Sequence, residues 1–310
     1  MKERIVFMGT PAFACEILKA LKAAAYDVVM VVSQPDKKVG RKQLVQPTAV
    51  KELALSYGIE VFQPISIQKE YEHILEMKPD LIVTCAYGQM IPIALLNAPK
   101  HGSVNVHASL LPKLRGGAPI HKAIINGEKE TGISIMRMVK QMDAGAVMKQ
   151  SHVAITDEDT TGTLSEKLSK SGAALLLECL PAILNDTAVF EEQEESKATF
   201  AYNISKEEEK IDFTKSLDEI YNQIRGLIPS PVGYALLNDK KVKIHKVRKY
   251  VTSHHFETGT IVGMVENGYA VAVKGGYLLM AELQMEGKSK VDAKNFYNGA
   301  GRNYVNQVMK

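Results

Sequence analysis

Short apolar runs alternate with amphipathic segments through the first half of this chain, and this order most strongly limits the folds open to it. Pro11–Ala24 and Thr48–Tyr57 have helical periodicity, and Thr10 before Pro11 gives the first helix an N-cap residue and a proline at its first position. Repeated strand, helix, strand predicts a doubly wound, mostly parallel α/β sheet with helices on both faces, ended by a long helix from about Thr161 to Leu184. The apolar runs predict these strands: Ile5–Met8, Val28–Ser33, Leu81–Ala86, Val104–Val106, Ile133–Met136 and Val147–Val153.

The second half of the chain has a different composition. An acidic, polar stretch with four glutamates between Glu191 and Glu195 is typical of a linker. After a helix predicted at Ser216–Leu227, closely spaced short strands predict a small β-barrel of the OB-fold type, a common scaffold for nucleic-acid binding. We therefore expect a catalytic domain at 1–187, a linker at 188–208 and a β-barrel domain at 209–310. The barrel strands are predicted at Tyr234–Leu237, Lys241–Val247, Gly259–Glu266, Tyr269–Lys274 and Tyr277–Gln284.

Length and composition fit this two-domain organisation. A chain of 310 residues exceeds the usual size of one hydrophobic core, and its 45% hydrophobic and 24% charged residues exclude long disorder. The formal charge of +3 neither shows nor excludes a polyanionic partner. The three cysteines fit neither a metal knuckle nor a disulfide framework, so we expect buried, reduced thiols. With neither a signal peptide nor a membrane-length apolar run, we expect a cytoplasmic protein that does not bind membranes.

The polar residues that could carry chemistry lie around Asn105–Pro119. Ligands of an open parallel sheet bind beyond the carboxyl ends of its strands. Asn105 and His107 alternate at a strand end, so both side chains point to one side of the sheet. A loop containing Gly116 follows them, and Asp143 in a later turn supplies a carboxylate that the topology can bring beside His107. Taken singly, such an Asn-x-His pair is more often a satisfied surface pair, but its combination with the glycine loop and the aspartate favours a catalytic site.

These residues resemble the signature of the folate-dependent formyltransferases, which take a formyl group from 10-formyltetrahydrofolate. The resemblance implies a Rossmann-like formyltransferase domain, and it extends over the whole chain to members that formylate the amino group of methionyl initiator tRNA in translation initiation. We therefore expect folate and initiator methionyl-tRNA as partners, and a monomer. The motifs that carry the resemblance are Asn105-Val106-His107, Ser109-Leu110-Leu111-Pro112, Arg115-Gly116, Asp143-Ala144-Gly145, Met8-Gly9-Thr10-Pro11-Ala12-Phe13, Ser33-Gln34-Pro35-Asp36, Ala86-Tyr87-Gly88 and Gly132-Ile133-Ser134-Ile135-Met136.

Formyl transfer requires an oxyanion donor, a group that manages a proton and a group that orients the proton carrier. Asn105 offers an amide N–H to the oxyanion. His107 can stabilise the developing charge or move a proton, and Asp143 would fix the orientation of the imidazole. The three residues include no nucleophilic serine or cysteine, which favours direct transfer without a covalent enzyme intermediate.

The resemblance also implies which segments bind the pterin end of the folate, in a pocket built partly from main chain. Apolar side chains in these segments fit a flat heteroaromatic ligand, although structural packing explains each single side chain equally well. The implied residues are Ala86, Tyr87, Gly88, Met90, Ile91, Ser109, Leu110, Leu111 and Pro112.

Two clusters of basic residues are candidates for binding tRNA. One is a loop after the second strand, in which Arg41 aligns with the key arginine of the resembled family. The other is a stripe on the predicted barrel, where Val242 and Ile244 are expected to face inward and the lysines outward. The predicted tRNA-binding residues are Lys37, Lys38, Arg41, Lys42, Lys241, Lys243, Lys246 and Arg248.

Several other functions are disfavoured or remain as alternatives. No Gly-x-Gly-x-x-Gly follows the first strand, which disfavours a nicotinamide cofactor, and no histidine spacing indicates a metal; His254 and His255 are expected at the solvated surface. A formyltransferase acting on an amino sugar nucleotide or a purine precursor would use the same three residues without needing the basic clusters. A non-catalytic RNA-binding protein is the third alternative, and the intact Asn105, His107 and Asp143 argue against it.

Overall fold

The computed structural model describes residues 2–39 and 43–310. These residues form two compact units. The first unit comprises residues up to 119, with 130–154 and 165–202, and the second comprises 120–129, 155–164 and 203–310.

The helices and strands alternate in the first unit, and strands dominate the second. The strands are β1 (Arg4–Gly9), β2 (Asp27–Val32), β3 (Lys37–Val39), β4 (Leu44–Gln46), β5 (Val61–Phe62), β6 (Leu81–Cys85), β7 (Ser103–His107), β8 (Glu130–Arg137), β9 (Val147–Ala154), β10 (Tyr234–Leu237), β11 (Lys240–Val251), β12 (Ile261–Val265), β13 (Gly268–Val273), β14 (Gly276–Met285) and β15 (Val291–Asp292). The helices are α1 (Ala12–Ala23), α2 (Ala49–Ser56), α3 (Ile67–Glu70), α4 (Glu72–Glu76), α5 (Ile93–Asn97), α6 (Pro119–Ile125), α7 (Thr161–Leu184), α8 (Leu217–Gly226) and α9 (Ala293–Gly299), with short 3₁₀ turns at Glu195–Lys197 and Gly301–Tyr304.

The sheet of the first unit has the strand order β5-β2-β1-β6-β7-β8-β9. The first five strands in this order, β5, β2, β1, β6 and β7, are parallel. Strands β8 and β9 are antiparallel to their neighbours. The central strands β1 and β6 are almost wholly buried, as their continuous apolar sequences predict for a sheet covered on both faces. The predicted mostly parallel α/β sheet is confirmed, and its last two strands are the antiparallel part.

Thr10 has a different role from the predicted helix cap. Helix α1 begins at Ala12, and Pro11 holds the N-cap position without a side-chain cap. The Thr10 hydroxyl instead donates to the carbonyl oxygen of Tyr87 at 2.8 Å and accepts from the backbone N–H of Gln34 at 3.3 Å. Thr10 therefore ties together the segments that follow β1, β2 and β6, at the carboxyl edge of the sheet.

The second unit is built on an antiparallel sheet of order β10-β11-β14-β13-β12, with β15 paired to β14. Residues 306–310 bridge its two edges. Lys310 exchanges backbone hydrogen bonds with Leu236 of β10, while Asn306 and Gln307 bond to Ile261 of β12. This segment therefore satisfies edge groups that would otherwise be open, in keeping with the predicted small barrel.

Candidate active site

Strand β7 places Asn105 and His107 on the same side of the sheet, as their spacing predicts. Asn105 lies opposite Thr84 of β6, and the Thr84 hydroxyl donates to Oδ1 of Asn105 at 2.8 Å. In this arrangement Oδ1 is the acceptor end of the amide. The Nδ2 group of Asn105 makes no hydrogen bond with the residues that the structure describes, so both of its N–H groups are available to a substrate oxygen.

The His107 imidazole is buried, with only 5% of its surface exposed. Its Nε2 lies 3.1 Å from the carbonyl oxygen of Leu114, and its Nδ1 lies 3.7 Å from Oδ2 of Asp143. Because a carbonyl oxygen can only accept, Nε2 carries a proton and donates a hydrogen bond to that oxygen. Nδ1 is then the ring nitrogen that can gain or lose a proton, and it faces the carboxylate.

Asp143 reaches His107 through the loop between β8 and β9. The loop starts at the amino end of β7, where the Met138 N–H donates to the Ser103 carbonyl oxygen. At Asp143 the backbone has φ of 50°, a left-handed conformation that is uncommon outside glycine. The Asp143 carboxylate accepts the backbone N–H of Gly116 at 2.8 Å, which holds it beside the loop that follows β7.

Gly145 is the residue that permits this loop to close. A Cβ atom at this position would lie 2.0 Å from the carbonyl oxygen of Arg137 on β8. Only glycine therefore allows the backbone to approach so closely. The Asp143-Ala144-Gly145 motif thus has two roles: it supplies the carboxylate, and its glycine lets the loop pack against β8.

Two residues of the site lie outside the sequence prediction. Thr84 orients Asn105, as described above, and Gln193 donates to the carbonyl oxygens of Asp143 at 2.8 Å and Gly145 at 2.7 Å. No local sequence pattern predicts that Gln193 belongs to the site, because it lies in the acidic stretch 50 residues beyond Asp143.

The segment after β6, predicted to contact folate, alternates between exposed and buried residues. Ala86, Gly88 and Met90 are exposed, and the backbone of Ala86 and Gly88 has positive φ. Tyr87 and Ile91 are buried in a core cluster of the first unit. Their side chains therefore anchor the segment, which leaves the main chain around Ala86 and Gly88 and the Met90 side chain on the surface.

The second predicted folate segment is held by hydrogen bonds around Ser134. The Ser109 carbonyl oxygen accepts from the Ser134 hydroxyl at 2.7 Å, and that hydroxyl accepts the Leu111 N–H at 3.1 Å. Ser109 and Leu111 are buried, while Leu110 and Pro112 are partly exposed. Leu110 and Pro112 are therefore the more accessible side chains of this segment.

The predicted basic loop is described only in part. Lys37 and Lys38 lie on β3, are exposed and pair with β4 in a hairpin. Arg41 and Lys42 lie outside the described residues. The hairpin also exposes the apolar side chains of Leu44 and Val45.

The predicted basic stripe lies on β11 of the second unit. Val242 and Ile244 are fully buried, whereas Lys241 and Lys243 are exposed. Register irregularities on either side of Lys246 follow this alternating stretch. Beyond them, Lys246 and Arg248 are exposed, and Arg248 donates to the carbonyl oxygen of Glu266 at 2.5 Å.

No group of three or more His, Cys, Asp or Glu side chains in the described residues could hold a metal ion. None of the helices in the described part of the chain is long and apolar enough to cross a membrane.

Comparison with protein families identifies the class of protein that this fold and site define. A formyl transferase family model matches residues 3–180, and a model of the formyl transferase C-terminal domain matches residues 203–301. The chain therefore belongs to the formyl transferase family, which confirms the resemblance found in the sequence.

Individual relatives narrow the class. The methionyl-tRNA formyltransferase of Listeria innocua is 48% identical over 302 residues, covering 97% of this chain and 96% of the relative. That of Bacillus cytotoxicus is 48% identical over 300 residues, covering 96% of each. Within its family, the chain thus belongs with the methionyl-tRNA formyltransferases.

Solved structures share the fold at lower identity. The sugar 3N-formyl transferase WlaRD has a TM-score of 0.66 at 21% identity, covering 93% of this chain and all of that one. HypX from Aquifex aeolicus, solved in complex with tetrahydrofolic acid, has a TM-score of 0.70 at 13% identity over 98% of this chain. This chain spans about half the length of HypX, because the match covers 48% of that protein.

Proposed function

We propose that this chain transfers the formyl group of 10-formyltetrahydrofolate to the free amino group of methionyl initiator tRNA, and that Asn105, His107 and Asp143 carry out the transfer. The observation that carries this proposal is the arrangement of the three polar groups. Nδ1 of His107 lies 3.7 Å from Asp143, and the amide of Asn105, two residues along the same strand, has its N–H groups free of partners in the described structure.

Asn105 would stabilise the negative charge that develops on the formyl oxygen. When the amine attacks the formyl carbon, the carbonyl oxygen becomes an oxyanion and needs a donor already in position. The bond from Thr84 holds the amide with Nδ2 as the free end, so little reorganisation is required at the moment of reaction. An oxyanion donor of this kind stabilises the transition state by roughly 3–4 kcal/mol.

His107 and Asp143 would take up the proton that the attacking amine loses and return it to the folate nitrogen, which leaves as its bond to the formyl carbon breaks. The Nε2 proton is held in the hydrogen bond to the Leu114 carbonyl oxygen, so Nδ1 is the atom that accepts or returns a proton. The Asp143 carboxylate stabilises the imidazolium form when Nδ1 is protonated. The Gly116 N–H keeps that carboxylate in place.

The two predicted folate segments have the chemistry that a flat heteroaromatic ring requires. Exposed main chain at Ala86 and Gly88 offers hydrogen-bonding groups, and Met90, Leu110 and Pro112 offer apolar contact. The buried Tyr87 and Ile91 make the first segment rigid, so it is largely preformed. When bound, 10-formyltetrahydrofolate supplies the formyl group.

The basic side chains of the hairpin and of β11 would bind the tRNA backbone. Lys37 and Lys38 on β3, together with Lys241, Lys243 and Lys246 on β11, are exposed cations that can replace condensed counterions. Arg248 adds a guanidinium, which pairs with phosphates. Arg41 and Lys42, in the same basic loop as Lys37 and Lys38, belong to this proposal on the sequence resemblance. Within the proposed tRNA-binding domain, residues 209–310, we assign the contact to these exposed cations of β11. We also propose that the chain works as a cytoplasmic monomer.

Transfer of radiolabel tests the function directly. Purified protein is incubated with 10-[¹⁴C]formyltetrahydrofolate and either methionyl initiator tRNA or the same tRNA without its amino acid. Label in the charged tRNA alone is the expected result. No transfer to charged tRNA, or equal transfer to an amino sugar nucleotide offered in its place, would overturn the proposal. Light scattering of the same sample tests whether the protein is a monomer.

A further inference from the structure

Residues 191–201 form a segment, which we call the strap, that binds two loops of the candidate site. At one end, Glu191 exchanges two backbone hydrogen bonds with Val147 of β9. At the other end, the Arg115 N–H donates to the Thr199 carbonyl oxygen, and the Ala201 N–H donates to the Arg115 carbonyl oxygen. The strap therefore spans from the loop that carries Asp143 to the loop that carries Leu114 and Gly116.

Between these two ends of the strap, the Gln193 side chain bonds to the loop that carries Asp143. Its Nε2 group donates to the carbonyl oxygens of Asp143 and Gly145, at 2.8 and 2.7 Å. The two bonds hold the main chain before and after Ala144. Asp143, at the start of this turn, has the positive φ described above. A non-glycine residue in this conformation costs roughly 1–2 kcal/mol, so the turn needs outside contacts to persist.

Arg115 determines which way the Gln193 amide points. Its side chain is buried, and Nε donates to Oε1 of Gln193 at 3.0 Å while Nη1 contacts the Glu195 carboxylate at 2.9 Å. Because a guanidinium can only donate, Oε1 must face Arg115, and the amide N–H groups must face the two carbonyl oxygens. The orientation of the amide is therefore fixed from both ends.

We propose that Gln193 is a positioning residue for formyl transfer, which sets the Asp143 carboxylate against His107, and that Arg115 acts through Gln193. The Gln193 side chain bonds to the main chain of Asp143 and Gly145 and not to the Asp143 carboxylate, so its effect passes through the backbone of the Asp143 turn. This inference rests on the proposed function, because it assigns Gln193 to the step that Asp143 serves. A displacement of about 1 Å in a catalytic group can lower a rate by about 100-fold.

The test compares Gln193→Met with a matched substitution elsewhere. Methionine has a similar shape but cannot donate the two hydrogen bonds. Gln223 in α8 is the control, since its Nε2 also donates to two backbone carbonyl oxygens, those of Glu208 and Lys210 at 3.0 and 2.9 Å. For each variant, kcat, the KM for both substrates and the urea midpoint of unfolding are measured in full-length protein.

We expect Gln193→Met to lower kcat by about 100-fold, with both KM values changed less than about twofold. Gln223→Met should lower the urea midpoint to a similar degree and leave kcat unchanged. Gln193→Glu keeps an oxygen for Arg115 but loses both donors, so its kcat should be as low as that of the methionine variant.

Three results would overturn the inference: a normal kcat in either Gln193 variant, a loss confined to KM, or an equal loss of kcat in Gln223→Met. If Gln193→Met does not fold, Gln193→Glu decides the question, because its oxygen still accepts from buried Arg115. Wild-type protein is assayed in parallel, so a failure of the proposed function appears as absent wild-type transfer and is distinct from these results.

Discussion

Nδ1 of His107 lies 3.7 Å from Oδ2 of Asp143, while Nε2 of the same ring is held by the carbonyl oxygen of Leu114. The two contacts give the ring nitrogens separate tasks. One keeps its proton and anchors the imidazole, and the other faces the carboxylate and is able to exchange a proton. Leu114 has a φ of 59°, so the loop after β7 adopts an uncommon conformation where its carbonyl meets the ring.

Replacement of His107 by alanine should lower kcat by about 100- to 10,000-fold, because it removes the group that moves the proton. Binding of tRNA should change little, since the imidazole is buried. Rates from single-turnover label transfer and Kd values from filter binding measure the two effects. His152→Ala is the control, as His152 is an exposed histidine beside Glu130 on β8. Substantial turnover by His107→Ala would remove the assigned role.

Thr84→Val should lower kcat, because Thr84 acts in the proposed mechanism by orienting Asn105. The substitution keeps the shape of the side chain and removes the bond that orients Asn105. We expect a smaller loss than for Asn105→Ala, which removes the donor and should cost about 100- to 1,000-fold in kcat. If the kcat of Thr84→Val equals that of the wild type, the orientation of the amide is set by other contacts.

Lys243→Ala should weaken tRNA binding at low salt and reduce the slope of log K against log salt by about 1. Lys243 is an exposed cation on β11. Lys249 on the same strand is already paired with Asp157 at 3.2 Å and Asp218 at 2.7 Å. Lys249→Ala should therefore leave the slope unchanged, and filter binding over a salt series distinguishes the two variants. Equal slopes for Lys243→Ala and wild type would contradict a phosphate contact.

The pKa of Asp36 is lowered from its usual 3.8 by hydrogen bonds from Gln63 and Lys51. A carboxyl group with a lowered pKa in the folded state stabilises the protein above the pKa of the unfolded chain, and this contribution disappears as the pH falls through the folded-state value. Asp36→Asn should therefore be less stable than wild type near neutral pH, with the difference shrinking below pH 3.8. Urea unfolding across this range measures it. A difference that does not depend on pH would mean that the charge of Asp36 contributes nothing.

The thiols of the native protein should react slowly with a disulfide reagent at neutral pH. Burial raises the pKa of Cys179 to about 11, and it also raises the pKa of Cys85 and Cys15. Because the thiolate is the reactive form, unfolding in urea should accelerate all three thiols. Cys15 is only partly buried and should be the fastest in the native state. Rapid reaction of all three without urea would contradict the structure.

Local patterns were sufficient for most strands of the two main sheets, for the longer helices and for part of the site. The alternation of side chains along a strand predicted that Asn105 and His107 share one side, and the same rule predicted the burial of Val242 and Ile244. These predictions depend on neighbours within a few residues of each other in the sequence.

Long-range contacts could not be predicted in this way. Gln193 meets Asp143 across 50 residues, and its acidic surroundings indicate only a polar segment. The prediction that His254 lies at the solvated surface is wrong for the same reason. Its Nε2 bonds to the carbonyl oxygens of Val273 and Gly276, and its ring stacks on Tyr277 with ring centres 5.1 Å apart. Tertiary pairing decides such positions, and a single sequence does not encode it in any periodic form.

The strap has a consequence for the newly made enzyme on the ribosome. A nascent chain that has emerged as far as Leu184 already contains every strand of the first sheet, but Gln193 and Thr199 are still in the exit tunnel. The turn that holds Asp143 gains its last supports only when these residues appear. Synthesis from the amino end therefore finishes the framework first and the proposed catalytic arrangement some moments later.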